Sequence, residues 1–277
     1  MDSVLLDIDG PLWTVTLNRP QVRNAVDGPT SRRLAEVCNG YRPDWVYHAA
    51  AYKHVPIVES NPAEGIANNV FGTLNMARAA LTAGVANFVL VSTDKAVRPT
   101  NVMGASKRIA ELVMQAAALR SGTRTVFSMV RFGNVLGSSG SVVPLFWEQI
   151  RQGGPLTVTH PDMERFFMTI PEAVRLVLQA AALADASEDI LALDMGKPVR
   201  IVELAERLIL LAGKKPHSEV PIVFTGIRPG EKLKEELFWE KDSVQTAIPF
   251  IFKSTSDVKT VDIGNFLQLL KSALEEN

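Results

Sequence analysis

From Asp44 onward the chain alternates short apolar runs with long helical patterns, and a chain built that way folds as parallel strands joined by helical crossovers. WVYHAAA (45–51) reads as a buried strand running into a small-residue turn, NFVLVST (87–93) as the next strand and TVFSMVRF (125–132) as a third. Between them Asn61 and Pro62 open a helix that runs to about Ala83 and stops at Gly84, with proline first and glycine last as helix ends favour. A second helix spans 105–119, with Ile109, Leu112, Val113 and Ala116 at core spacing. These segments make at least two successive βαβ units. After Gly140 the pattern mixes helices (142–152, 171–184 and 201–212) with short strands near 191–195 and 222–225, which predicts a second lobe. An amphipathic helix over 263–274 is expected to pack on the body.

The bulk numbers narrow the partners. With 277 residues and 47% of them hydrophobic, the chain can bury one large core or one core with an appendage. Lys and Arg total 29 against 30 Asp and Glu, so the net charge of -1 gives no reason to expect nucleic acid or an anionic membrane as partner. Cys38 is the only cysteine, which excludes an internal disulfide and fits a reducing compartment. The apolar runs fall far short of the roughly 20 residues a membrane helix needs. Asp2, Asp7 and Asp9 stand where a signal peptide would be basic and then apolar, so the cytosol is the expected location. His160 and His217 have no ligand-like spacing, so no metal site is expected, and His48, on an apolar strand, reads as structural.

The front of the chain is the anomaly. Residues 4–17 alternate about Asp9 and Gly10 and predict a β-hairpin, residues 18–28 a loop, and a helix from about Pro29 that ends at 40–43. A dinucleotide-binding sheet opens with a strand, a G-x-G-x-x-G turn and a helix, because glycines let the pyrophosphate approach the backbone at the helix amino terminus. The first 43 residues hold only Gly10, Gly28 and Gly40, and no such turn.

The sharpest cluster of reactive side chains is STDKAVRPTNVMGASKR (92–108), which starts at a strand end and runs into a helix. Ligands of open α/β sheets bind outside the carboxyl ends of the strands, where Thr93, Asp94 and Lys95 fall. The alternative is a solvated Asp94–Lys95 pair, with Asn101 capping a helix. The segment resembles the catalytic stretch of nucleotide-sugar 4,6-dehydratases of the CapD polysaccharide-biosynthesis type, within the extended short-chain dehydrogenase/reductase superfamily. Similar words follow in family order: HAAAYKHVPIVESNP (48–62), NNVFGTLN (68–75), RFGNVLGSSGSVVPLF (131–146), HPDMERFFMTIPEA (160–173) and IRPGEKLKEEL (227–237), covering about 43–253.

That resemblance implies a redox cycle on a UDP-linked N-acetylhexosamine with bound NAD or NADP: oxidation at C4, loss of water across C5 and C6, and return of the hydride to C6. Elimination beside a 4-keto group needs a base for the C5 proton and an acid for the C6 hydroxyl. The resemblance offers Lys95 as base, Asp94 as acid and Thr93 as hydrogen-bond partner near the 4-oxygen. An ordinary lysine is a poor base at neutral pH unless burial or a neighbouring cation such as Lys107 assists. Met103 stands where most of the superfamily has a tyrosine four residues before the lysine, here Lys107, and a thioether relays no proton. A membrane-linked subset of these dehydratases shows the same departure. Ala49, Ala50, Asn69, Ser92 and Lys107 are implied on the cofactor side, and Arg131, Asn134, Arg228 and Glu231 on the sugar-nucleotide side.

Residues 4–36, with LNRP and RNAV, are similar instead to the opening of the enoyl-CoA hydratase/isomerase (crotonase) family. The expected architecture is therefore α/β, a truncated Rossmann-like parallel sheet lacking its first strands with a smaller carboxy-terminal substrate lobe. It divides into 1–40 (crotonase-like hairpin and helix fragment), 41–140 (partial Rossmann domain) and 141–277 (substrate lobe and terminal helix). Without preceding strands the strand at 45 becomes an apolar edge, a hazard unless the hairpin or a second subunit covers it. Three functions fit: a 4,6-dehydratase weakened by loss of the cofactor turn, a 4-epimerase, which would want a tyrosine at 103, or a non-catalytic remnant that binds a nucleotide sugar or a partner subunit.

Overall fold

The computed structural model describes residues 3–10, 12–18, 28–41, 44–119, 124–184, 189–236, 243–254 and 263–275. Strands β1 (Val4–Asp9) and β2 (Leu12–Leu17) form the expected hairpin, with Gly10 at φ +56° in the turn, where a side chain would be strained. Helix α1 (Gly28–Tyr41) follows, and the loop expected over 18–28 lies, apart from its ends, outside the described residues. Val4 buries against Leu34 and Val37, and Met76 of the next layer packs on all three.

The strand β3 (Trp45–His48) then leads through α2 (Val55–Glu59) and α3 (Pro62–Ile66) to α4 (Gly72–Ala83). The single helix expected over 61–83 is interrupted by a π-helical turn, Ala67–Phe71, which buries Asn68 and Asn69. Gly84 ends α4 in the left-handed conformation at φ +67°, as its place after the helix predicts. Next come β4 (Asn87–Val91), α5 (Val102–Ala118), β5 (Val126–Arg131) and β6 (Asn134–Val135). The second lobe begins with α6 (Val142–Arg151), β7 (Leu156–Val158), β8 (Glu164–Arg165) and β9 (Phe167–Met168). After α7 (Ile170–Leu183) and β10 (Asp189–Leu193) the chain forms β11 (Val199–Arg200), α8 (Ile201–Leu211) and β12 (Ile222–Phe224). It ends with β13 (Ser243–Gln245), β14 (Ile251–Ser254) and α9 (Ile263–Glu275).

The main sheet has six strands in the order β13-β14-β10-β5-β4-β3. The pairs β3–β4, β4–β5 and β5–β10 are parallel, as the crossover pattern requires. Against expectation the sheet is mixed, because β14 runs antiparallel to β10, and β13 antiparallel to β14. A short loop suffices to join antiparallel strands, and these two lack the apolar run that marks a buried parallel strand. The sheet also takes β10, β13 and β14 from beyond residue 140, so its strands come from both sides of the division drawn there.

Alternation sorts the strands onto two covered faces. Phe88, Leu90, Phe127 and Met129 pack against the alanines of α4 and α5 (Ala77, Ala80, Ala110) and Met114. Val89, Val130, Leu191 and Leu193 pack on the other side against Ala173, Val177 and Ala180 of α7. The second lobe has its own core of Phe146, Ile150, Leu156, Ile201, Leu208 and Val220. Helix α9 lies against α5 with Ile263, Leu267, Leu270 and Leu274 half-buried along one stripe, while Leu269, off that stripe, is 72% exposed.

At the β3 edge, Trp45 and Tyr47 are each 40% exposed and stack with ring centroids 6.2 Å apart. The hairpin does not extend the sheet at this edge; among the described residues its strands pair only with each other. His48 points the other way into the core, its Nε2 lying 3.1 Å from Thr73 Oγ1 and its ring tilted on Phe88. Burial, helped by the charge of Lys107, pushes its pKa down to about 3. The depressed value makes the unfolded chain bind the extra proton below pH 6.5, so this contribution to stability is complete above pH 6.5 and drains away as pH falls toward 3. Between pH 7 and 5 the loss from this one group should be about 2 kcal/mol. Urea unfolding at the two pH values measures it, and His48→Gln should lose correspondingly less on acidification; equal losses in both proteins would contradict the assignment.

Candidate active site

The end of β4 sets the geometry. Ser92, Thr93, Asp94 and Lys95 leave the strand, and residues Asp94–Ala96 make one 3-10 turn capped by Thr93. Lys95 Nζ donates to Asp94 Oδ1 at 2.9 Å, and Thr93 Oγ1 donates to the same oxygen at 2.8 Å. Asp94 is fully buried, and its Oδ2 has no hydrogen-bond partner. That oxygen faces Gly133, where an added Cβ would stand 3.0 Å from it and equally close to Met195 Sδ.

Helix α5 brings the next residues up to this turn. Its N-cap is Asn101, whose Oδ1 accepts from Gly104 N at 2.7 Å, so the capping expected of Asn101 and a place beside the reactive turn are the same fact. Gly104 has no room for a side chain: a Cβ would sit 2.3 Å from the Lys95 carbonyl oxygen, and that close approach presses the helix start onto the turn. One residue earlier, Met103 packs on Val55 and Val58 beneath Tyr52. Lys107, one turn further on, donates from Nζ to Val91 O at 2.7 Å. Burial lowers its pKa to about 8 although the nearby Glu111 carboxylate opposes the change.

Glu111 anchors the helix to the sheet. Its Oε1 accepts from Ser92 Oγ at 2.6 Å and Arg131 Nε at 2.8 Å, and its Oε2 from Arg131 Nη2 at 2.6 Å and Arg108 Nη1 at 2.9 Å. Burial alone would raise this carboxyl; the charge and hydrogen bonds of Arg131, with Arg108 and Ser92, outweigh it and hold it at about 2.

A cleft of about 560 Å³ opens above the turn, between the sheet and the second lobe. Of the residues singled out from the sequence, the structure brings Ala49, Ser92, Thr93, Lys95, Met103, Lys107, Asn134, Arg228 and Glu231 to its wall. Four are placed elsewhere. Ala50 lies on the surface outside the cleft wall, and Asp94 lies directly beneath it. Asn69, in the π-helical turn, accepts from Tyr52 N and donates to Tyr52 O and Ser106 Oγ, so it fastens the loop after β3 to α5. Arg131 corrects its sequence reading: rather than facing a diphosphate, its guanidinium is buried against Glu111, because β5 points that side chain toward α5. Tyr52, His54, Arg165 and Glu111 went unnamed in the sequence. For Glu111 there was a signal, an acidic residue four positions after Lys107 on the apolar face of a helix.

Solved structures carry this fold. The X-ray structure of Pen from Bacillus thuringiensis superposes with a TM-score of 0.75 at 32% identity, over 88% of this chain and 79% of that one. A double mutant of DesIV, a dTDP-glucose 4,6-dehydratase from Streptomyces venezuelae with NAD and DAU bound, gives 0.67 at 24% identity, over 76% and 69%. The chain is thus an α/β protein with the Rossmann-like fold of the short-chain dehydrogenase/reductases. Its sequence matches the polysaccharide biosynthesis protein family over residues 20–254, and the chain belongs to that family. It is 60% identical over 211 residues to the capsular polysaccharide biosynthesis protein CapD of Staphylococcus aureus, covering 76% of this chain and 35% of CapD. It is 40% identical over 230 residues to a UDP-glucose 4-epimerase of Rickettsia canadensis, covering 82% and 65%. The chain thus spans about a third of the length of CapD. The family match begins at residue 20, so it takes in part of the segment that resembles the crotonase opening. No helix among the described residues is long and apolar enough to cross a membrane, and no cluster of His, Cys, Asp and Glu among them could hold a metal ion.

Removing one member of a buried ion pair leaves the other charged and unmatched, which costs about 3–5 kcal/mol. Glu111→Gln should therefore destabilise the protein by that amount in urea unfolding at pH 7. A loss below about 1 kcal/mol, the scale of a surface ion pair, would show that Glu111 does not hold the helix to the sheet.

Proposed function

We propose that the chain carries the sugar-nucleotide site and the acid–base half of a nucleotide-sugar 4,6-dehydration, acting on a UDP-linked N-acetylhexosamine for surface polysaccharide. The observation that carries this reading is the turn at the end of β4. A lysine that lines the cleft is hydrogen-bonded to a buried aspartate, at the edge of a cleft whose far wall holds Arg228 and Glu231. An amine there can take the C5 proton of a 4-keto hexose. The pair of electrons left at C5 forms the C5–C6 double bond as the C6 hydroxyl, protonated by the Asp94 carboxyl, leaves as water. Gly133, on the cleft wall, lies directly against the buried Asp94 Oδ2, where a side chain would not fit. Arg228, and Asn134 beside its glycine, suit the diphosphate oxygens of the nucleotide.

A nicotinamide cofactor would supply oxidation at C4 and return of the hydride at C6. The residues present fit it at one end only. Ser92, Thr93 and the buried Lys107, which line the cleft, are the groups that would hydrogen-bond a ribose of the cofactor. For the pyrophosphate, the described residues ahead of β3 offer a hairpin and α1, and the sequence ahead of β3 has no glycine turn.

A second reading, 4-epimerisation, is supported by the 40% identity to a protein named UDP-glucose 4-epimerase. The Asp94–Lys95 pair weighs against it. Oxidation at C4 releases the 4-hydroxyl proton in either reaction and the Met103 thioether accepts it in neither, but an epimerase needs no base at C5, so the pair would be idle.

The base can be tested without the cofactor. Incubated in D2O with a UDP-linked 4-keto-6-deoxyhexosamine, the protein should exchange the C5 hydrogen for deuterium, followed by proton NMR. Lys95→Ala should slow exchange about 100-fold to 10,000-fold while UDP-sugar binding is retained, and Met103→Leu should change it by less than about 3-fold, since the thioether carries no proton. Wild-type exchange by Lys95→Ala would remove Lys95 as the base, and with it the dehydration reading.

A further inference from the structure

Lys95 has a second neighbour besides Asp94. Glu235 Oε1 lies 3.7 Å from Lys95 Nζ and 3.9 Å from Arg165 Nη2, with the Glu235 side chain only 3% exposed. Its other oxygen, Oε2, is buried without a hydrogen-bond partner. The Lys95 ammonium therefore stands between two buried carboxyl groups, one from its own turn and one from a segment that belongs to the second lobe.

That segment is fastened to the reactive turn at several points. Gly230 O accepts from Thr100 Oγ1 at 3.1 Å and from Asn101 Nδ2 at 3.0 Å. Gly230 itself sits so close that a Cβ would meet Asn101 Cβ at 2.7 Å. Lys232 Nζ donates to Val97 O at 2.9 Å, and Glu236 pairs with Arg98. A carboxylate carried on so short and so tightly tied a stretch is held in place rather than resting there by chance.

We propose that Glu235 is the positioning residue for Lys95: it draws the ammonium away from Asp94 and takes up its proton when the amine serves as base. This inference rests on the dehydration reading. In the transfer an N–H bond of Lys95 breaks and an O–H bond forms on Glu235, leaving a neutral amine beside a neutral carboxylic acid, with no change in total charge. The charges facing Glu235 are Lys95, Arg165 and Lys232, which favour its carboxylate, and Asp94, which does not; burial is the largest influence and pushes its pKa up, toward the protonated form.

The deuterium-exchange reaction tests the idea as a cycle with Lys95. Glu235→Gln keeps shape and removes the proton acceptor, so it should lower kcat for exchange at least about 10-fold and leave KM within about 3-fold, the pattern of a group that acts only in the transition state. In a Lys95→Ala background it should have no further effect, since coupled residues are not additive. Glu235→Asp, which keeps the carboxylate but draws it back, should recover part of the rate and serves as the second variant if the glutamine protein fails to fold. An unchanged kcat in Glu235→Gln, or an equal fall in the Lys95→Ala background, overturns the proposal while wild-type exchange leaves the dehydration reading standing. Absence of exchange in the wild type overturns both.

Discussion

The site depends on one buried carboxylate. Glu111 accepts four hydrogen bonds from Ser92, Arg108 and Arg131, and so binds α5 to the ends of β4 and β5 at once. A charge that deep is tolerated only when it is matched and its lone pairs are used. The gain is positional more than energetic. With α5 fixed in height and rotation, Lys107 reaches Val91, Met103 fills the space under Tyr52, and Gly104 meets the Lys95 carbonyl. Small residues then do the rest: the alanines of α4 and α5 let both helices lie close on the sheet, which brings the helix start within reach of the strand end.

The parts of this arrangement that were legible in the sequence are those governed by local rules. Period-2 and period-3.6 patterns gave β3, β4, β5 and the crossover helices, and punctuation gave Gly84 and the cap at Asn101. The turn Thr93–Asp94–Lys95 could be placed at a strand end because the apolar run before it is unambiguous. What escaped depends on contacts distant in sequence. The antiparallel strands β13 and β14 carry Ser, Gln and Lys and join the sheet only because β10 presents an open side. The π-helical turn exists where Asn69 reaches across to Tyr52 and Ser106, which no helix periodicity announces. Arg131 was implied as a ligand by the resemblance alone; strand alternation sends its side chain to the face packed on α5.

The two lobes meet through charges as well as through apolar contact. Val89 and Val130 of the sheet share a buried cluster with Met168, Ala173 and Val177. Beside it lie Lys95, Arg165 and Glu235, with the loop around Gly230 as the tether. Such a seam places the charges of Lys95 and Arg165 on the wall of a largely apolar cleft. It also makes the reactive lysine sensitive to where the second lobe stands, since one of its two carboxylate neighbours belongs to that lobe.

The tether has a consequence for how the chain reaches this state. Thr100 and Gly230, which it joins, are 130 residues apart, whereas the β4–α5–β5 unit closes over short separations. Loops that long cost more entropy to close, and topologies with many distant contacts fold slowly. The β3–β4–β5 unit and its helices can therefore condense first, with Glu111 already paired, and the segment carrying Glu235 docks onto it afterwards, so the site is completed later than the strands that carry it.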